Sequence, residues 1–395
     1  MAGSERSPRI GERIAYHRRI ARLTQQRLAD TSGIALGTIR KIERGERGAS
    51  ESTLDRIADA LHIDPVHLHG TPERGETRVH HAMRQLSGIL ACHEDPDDRA
   101  FDSPSALRAR VEKMTAHRLA ARYTPISRQA PELLEELFRA FHTSSHGDRK
   151  STGKLLVMAL RSADAVAYKH RALDLSARLI DTMRWTADRV GDPLLAGMVA
   201  YVRTETFFAT ETHTAGLRAL ERAIDLSPSP TTADSTASLG ALHMRAAVIA
   251  GRSRNSTAAG AHISEARELA DRVPEGVYNG TAFGPHSLRI HEISLAVSLG
   301  DGHAHRALEI SREWRPPSGT LPERHSSFHI ELARAQLWAG RPGEAFDSLK
   351  AARRVAPQHT REHPWVREDV ATLRRLRRGS AEELTRFATW CEAGG

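Results

Sequence analysis

Two cysteines, Cys92 and Cys391, are all that the 395 residues contain. No CxxC spacing exists, so a disulfide framework is excluded and a reducing compartment is expected. Aromatic residues make up only 5% of the chain, while alanine is abundant. Little bulk and much alanine favour helices packed closely on helices over a sheet core. Lysine is scarce too: six of the 57 basic residues, the remainder being arginine. No apolar run reaches transmembrane length, and the N-terminus has no signal-peptide apolar core. These absences predict a soluble cytoplasmic protein without membrane contact.

The formal net charge is +8 and the sequence pI about 9.9, a balance that favours a polyanionic partner. At 39% hydrophobic the chain is too apolar to be disordered, and its length predicts two or three domains.

Residues 9 to 70 read as five short helices. Ile10, Ile14, Leu28, Ile34, Ile39, Ile42, Leu54, Ile57 and Leu61 recur at intervals that suit helix faces joined by tight turns. Thr24 precedes Gln25-Gln-Arg-Leu-Ala as a helix cap, and Ser52 stands three residues before Asp55 in a capping-box spacing. Gly33, Gly45 and Gly48 mark turns. Residues 71–104 read as a linker with one helix, Arg78 to Cys92, followed by the acidic run Glu94-Asp-Pro-Asp-Asp. Residues 105–395 are helical almost throughout.

That long segment contains a degenerate repeat. Ala345, Leu349, Ala352 and Pro357 share their spacing with Gly216, Leu220, Ala223 and Pro228; Ala259, Ile263 and Ala266 repeat the first three positions. Offsets of four and three place the small-large-small set on one helix face, and a proline ends the helix. Gly340 provides a tight turn before Ala345. The pattern is that of a helical-hairpin array in which each unit buries its face on the next. The expected fold is all-α: a compact N-terminal domain (1–70), a linker (71–104), and an α-solenoid of roughly five hairpins (105–395).

Residues 10–69 resemble the XRE (lambda-repressor-like) helix-turn-helix family. The resemblance is carried by Leu23-Thr-Gln, Leu28-Ala29, Gly33-Ile34, Ile39, Ile42-Glu43, Gly45, Leu54 and Ala58-x-Ala60-Leu61. It implies double-stranded DNA as a partner, with a recognition helix over roughly Ala35 to Arg44 in the major groove. Gln25 would meet a phosphate, and Arg44 and Arg47 would neutralise backbone charge. Leu36, Gly37 and Lys41 occupy positions that face bases, with Thr38 and Arg40 nearby. The chain departs from the usual pattern at Ala35, where a capping Ser or Thr is common, and at Leu36-Gly37. Polar readout then falls on Thr38, Arg40 and Lys41. Glu43 is assigned to internal pairing. The resemblance further implies a homodimer on a palindromic operator.

The C-terminal part resembles tetratricopeptide-like sensor domains that follow XRE domains in actinomycete regulators, and the Arg- and Ala-rich composition fits a high-GC genome. The resemblance rests on Phe283-Gly-Pro-His-Ser-Leu-Arg-Ile-His-Glu-Ile, with His286-Ser287 where relatives carry Thr-Asn, and on Gly191-Asp-Pro193. It implies a groove that binds a small molecule, peptide or protein. Counting back to the first helix of each hairpin puts Met198, Tyr201, Glu205 and Phe208 on the inner face. Met244 and Val248 follow, then Ser287, Ile290 and Ser294, then Arg334 and Trp338. Arg334 is expected to meet a carboxylate and Trp338 to stack.

Other motifs point to no chemistry. Gly147-Asp-Arg-Lys-Ser-Thr-Gly-Lys154 imitates a phosphate loop but has five residues between its glycines and Leu155 after the lysine. His62, His67, His69, His80 and His81, like His303 and His305, lack metal-ligand spacing and read as surface residues. No nucleophile elbow or HExxH occurs. The expectation is a regulator that is not an enzyme and holds no cofactor or metal. The competing reading is an adaptor whose solenoid docks a protein while the first domain tethers it to DNA.

Overall fold

The computed structural model describes residues 10–61, 63, 68, 74–376 and 381–391. Among them are twenty α-helices and one short β-hairpin. No described helix is long and apolar enough to cross a membrane. The chain divides into two compact units, one ending at His80 and one starting at His81.

The first unit holds α1 (Ile10–Ile20), α2 (Gln25–Ser32), α3 (Leu36–Glu43) and α4 (Glu51–Leu61). A fifth helix before residue 70, and His62, His67 and His69, fall outside the described residues. Ile14, Leu28, Ile39, Ile42, Leu54, Ile57 and Leu61 form the core, with Ile10 and Ile34 packed at its edge. Gly11 lets α1 lie on the end of α3, since a Cβ there would sit 2.0 Å from the Ile42 carbonyl. Thr24 caps α2 by accepting from the Arg27 N–H. The cap of α4 is Ser50, whose Oγ accepts from Thr53 N–H, two residues earlier than the Ser52 spacing implied.

The helix expected near Arg78–Cys92 is α5, Arg74–Ala91. The acidic stretch after it is not a loose linker. Asp97 accepts from Arg139 at 2.8 Å, the Asp102 N–H donates to Glu136, and Asp102 pairs with Arg110. The stretch is therefore pinned to the second unit by charge-assisted bonds.

In the second unit seven antiparallel pairs follow: α6 (Pro104–Leu119) with α7 (Tyr123–Thr143), α8 (His146–Lys169) with α9 (Leu173–Val190), and α10 (Pro193–Ala209) with α11 (His213–Asp225). Next come α12 (Ala233–Arg252) with α13 (Ser256–Ala270), α14 (Pro285–Ser298) with α15 (Ala304–Glu313), and α16 (Pro322–Trp338) with α17 (Pro342–Val355). After the short α18 (Pro357–Glu362), α19 (Pro364–Leu376) pairs with α20 (Ala381–Trp390). Seven pairs are present rather than roughly five; four of the joints carry no glycine to mark them in the sequence. Ala121, Arg171, Glu211, Arg254 and Gly340 all take a left-handed φ at the same point of the turn. In each, the next N–H reaches back to the carbonyl five residues earlier, as Arg122 to His117 and Arg341 to Gln336. The small-large-small sets lie on second helices: Ala345, Leu349 and Ala352 are fully buried, as are Ala259 and Ala266.

Between α13 and α14 stands a hairpin that an all-helical reading omits: β1 (Gly276–Tyr278) and β2 (Thr281–Phe283), joined by Asn279-Gly280. Both turn residues have positive φ, 48° and 75°, the geometry that Asn-Gly favours. Phe283 is fully buried against Gly240.

The first helices of successive pairs pack on one another, and the superhelix closes on itself. The Gln358 side chain of α18 accepts from the Tyr123 N–H at 2.6 Å, and Lys169 pairs with Glu323 at 3.4 Å. The predicted groove is thus an enclosed interior.

Gly340 adopts φ 71° in open space, so a Cβ there meets nothing and its substitution isolates the backbone contribution. Gly340→Ala is expected to destabilise the chain by about 1 kcal/mol, read as a lower urea midpoint with an unchanged slope.

Candidate functional site

In the first unit, α3 is held from behind and open in front. Ile39 and Ile42 are buried, whereas Gly37, Arg40 and Lys41 are exposed and Thr38 is half-buried. Leu36 is half-buried and packs against the core, so much of its side chain is spent inward. Ala35 makes no side-chain cap. Gly33 ends α2 in the left-handed conformation expected of the turn. Arg56 of α4, absent from the sequence reading, fastens that turn by donating to the Ser32 and Gly33 carbonyls at 3.0 and 2.6 Å.

Glu43 locks the rear of α3. Arg18 donates to both its oxygens at 2.7 and 3.0 Å, and the Gln25 amide donates to it at 2.7 Å. Gln25, expected at a phosphate, therefore has its side-chain amide turned inward onto Glu43. Arg44 is exposed and pairs with Glu46 at 3.2 Å, and Arg47 is exposed. Burial pushes Glu43 up, but the bonds from Arg18 and Gln25 and the charges of Arg18 and Arg19 outweigh it and hold it below the ordinary 4.5. The resulting stabilisation is full above that ordinary value and fades as pH falls through the lowered one. Arg18→Ala strands the carboxylate and is expected to destabilise the first unit by roughly 2–4 kcal/mol. Urea unfolding near neutral pH checks this, and Glu43→Gln added to Arg18→Ala should recover part of the loss.

In the second unit the interior is charged. Arg118 (α6), Arg161 and Asp164 (α8), and Glu292 (α14) are buried. Tyr201 and Glu205 of α10 lie here as expected: Arg324 donates to the Tyr201 hydroxyl at 2.8 Å, and the Arg245 guanidinium sits 4.7 Å over the Tyr201 ring and 3.8 Å from Glu205. Burial raises Tyr201, yet Arg324, Arg245 and Arg161 bring it down to about 8. Asp164 accepts from Ser176 and lies against Glu205; burial, then the Glu205 charge, push it well above the carboxylate range.

The remaining groove residues divide. The Phe208 ring lies 5.2 Å from the Arg245 guanidinium. Met198, Met244 and Val248 are buried apolar side chains, and Ile290 belongs to the core between α14 and α16; none of these offers a polar contact. Ser287 is occupied by Glu275, which accepts from its N–H and its hydroxyl and caps α14. Arg334 is spent on Asp369 at 2.8 Å and Glu368 at 2.7 Å, with Trp365 beneath it. It joins α16 to α19 rather than facing a groove. Trp338 is 40% exposed. The phosphate-loop imitation forms the first turns of α8, and its Lys154 pairs with Asp192. Among the described residues no group of three or more His, Cys, Asp or Glu is placed to hold a metal ion. Cys391 is buried in the terminal core.

Glu331 of α16, unmarked in the sequence, is pushed by burial to about 7, against the opposing Ser294 bond and Arg252, Arg324 and Arg245 charges. The native state therefore keeps a proton that the unfolded chain releases near 4.5, so this group's contribution falls as pH rises towards 7. Glu331→Gln is expected to flatten the decline in thermal midpoint between about pH 5 and 7.5 relative to wild type.

Residues 14–68 match the helix-turn-helix family. No curated protein sequence matches the chain. Among solved structures, a PrgX mutant aligns at 10% identity and a TM-score of 0.39, over 87% of this chain and 99% of that one. Bacillus thuringiensis PlcR in complex with the peptide PapR7 and DNA aligns at 14% identity and 0.28, over 67% and 95%. ComR from S. thermophilus, in complex with DNA and its signalling peptide ComS, aligns at 12% and 0.22, over 66% and 99%. The chain thus carries an N-terminal helix-turn-helix domain of the XRE type, followed by a helical-repeat domain.

Proposed function

We propose that this chain is a sequence-specific transcription regulator of the actinomycete type, acting in the cytoplasm at the nucleoid. Its first unit reads a palindromic operator as part of a homodimer, and its solenoid takes the controlling ligand. The observation that carries the reading is the construction of α3. Its back is fixed by Ile39, Ile42 and the Arg18–Glu43–Gln25 clamp, while Gly37, Arg40 and Lys41 stand exposed along its front. A rigid helix with a basic exposed face suits major-groove insertion. Gly37 has open space around it, so nothing within the unit requires glycine there; close approach to a base pair would. Arg44 and Arg47 follow in the turn, where backbone phosphates would lie.

An operator selected from random duplexes, followed by gel-shift titration, tests this. Arg40→Ala and Lys41→Ala are expected to weaken binding to the selected site about tenfold or more while sparing random DNA. Arg47→Ala should weaken both alike and reduce the salt slope by about one. Absence of any shared motif among the selected sequences, or equal losses on both DNAs for Arg40 and Lys41, overturns the readout role. Sedimentation of the full chain reads the dimer.

A further inference from the structure

Three arginines of the solenoid interior, Arg118, Arg161 and Arg324, make no direct salt bridge, although the charge of Glu323 in the same cavity acts on Arg118 and Arg324. Arg118 of α6 and Arg161 of α8 are each 6% exposed. The interior acids are committed elsewhere: Glu323 to Lys169, Glu205 to Arg245 and Asp164, and Glu331 to Ser294. Arg118 and Arg161 make do with neutral oxygens at the hairpin tip, donating to the Gly280 carbonyl at 2.8 Å and the Asn279 carbonyl at 3.2 Å. Arg324 donates to the Tyr201 hydroxyl. Even so, donors are left over: Arg118 Nε and Asn279 Nδ2 are buried without an acceptor. Burial drives Arg161 down to about 9, with the Arg118 charge adding to it, and lowers Arg118 as well. Burying a guanidinium without a counter-charge is strongly unfavourable, and proteins rarely do so without a partner.

The three side chains face one cavity of about 30 Å³, completed by Glu323 and the β2 side of the hairpin, Gly280 to Ala282. That is room for about two water-sized atoms. A carboxylate offers two oxygens in the plane that a guanidinium fork matches, and to enter it must displace the tip carbonyls of Asn279 and Gly280 that the arginines now hold. We propose that this cavity binds a ligand carboxylate between Arg118, Arg161 and Arg324, with the hairpin Gly276–Phe283 as the strap across it. The carboxylate belongs either to a small organic acid or to the C-terminus of a short peptide. The strap runs directly into α14 through Gly284, so a carboxylate that replaces the tip carbonyls as arginine acceptor would be felt along an inner helix. The proposal rests on the ligand-binding half of the function proposed above, not on its DNA-reading half.

The test is the thermal midpoint of the full-length protein, titrated with sodium acetate against sodium chloride at equal ionic strength and pH, with acetamide as the uncharged control. Acetate should raise the midpoint saturably, because a ligand that binds only the native state stabilises it; acetamide should not. N-acetyl-trialanine with a free C-terminus is then compared with its amide. A rise with the acid form alone assigns the site to a peptide terminus, and a rise with acetate but neither peptide assigns it to a small acid. Arg161→Met should abolish the rise while its ligand-free midpoint equals or exceeds that of wild type, since an unpaired buried charge has been removed. Arg324→Lys, which keeps the charge and loses the fork, should weaken the response. No rise with acetate or the peptide acid, or a rise undiminished in Arg161→Met and Arg324→Lys, overturns the carboxylate site. Operator affinity measured with and without a cell extract separates the two readings: an extract effect without a carboxylate response keeps a liganded regulator and discards this site.

Discussion

Five of the seven helical pairs of the second unit are set by the same backbone event, a single residue at the joint turned into the left-handed region. Its consequence is a bond from the following N–H to a carbonyl five residues back, which stops the first helix and aims the second antiparallel to it. Repeating that joint at Ala121, Arg171, Glu211, Arg254 and Gly340 places first helices beside first helices. The solenoid then winds tightly enough for α18 to meet the start of α7. Four of those five residues are not glycine, so the array holds its shape against a local backbone preference of about 1 kcal/mol at each joint. The buried faces on either side over-determine the turn.

The winding has an electrostatic consequence. Arginines and acids that a straight array would leave in water are brought together in the interior, where solvent cannot neutralise them. Some pair off: Lys169 with Glu323 and Arg245 with Glu205. The others change their protonation behaviour, as Asp164 and Glu331 do. Arg118 and Arg161 find only carbonyl oxygens. The interior's own polar groups are therefore incompletely satisfied.

The first unit solves the opposite problem. Its helices are short and its core small, so α3 needs fixing from behind without loss of its front. Glu43 does this by joining α1, α2 and α3 through Arg18 and Gln25. Arg56 adds a second fastening at the Gly33 turn. Polar clamps suit this position because a larger apolar contact would need a thicker domain.

The sequence by itself determined the helix class, the four described helices of the first unit, the internal role of Glu43 and the exposed basic face of α3. The pairing of Glu43 and the outward face of α3 follow from the resemblance to the helix-turn-helix family; the helices follow from local periodicity and caps. The small-large-small sets located second helices correctly for the same reason. The number of pairs was hidden because non-glycine residues occupy the joints, and only packing forces a left-handed turn on Ala121 or Arg171. The hairpin was readable in Tyr278-Asn-Gly-Thr281, a two-residue turn signal between short β-formers, but a helical expectation passed over it. The solenoid interior lay beyond any local reading. A charged residue on a helix looks solvent-facing until the superhelix closes: the hairpin tip that Arg118 and Arg161 share, and the Tyr201 that Arg324 meets, each lie more than a hundred residues from them in sequence. Tertiary structure also reassigned Arg334 from ligand contact to helix tie, because α19, folding back on α16, delivers Asp369 to it.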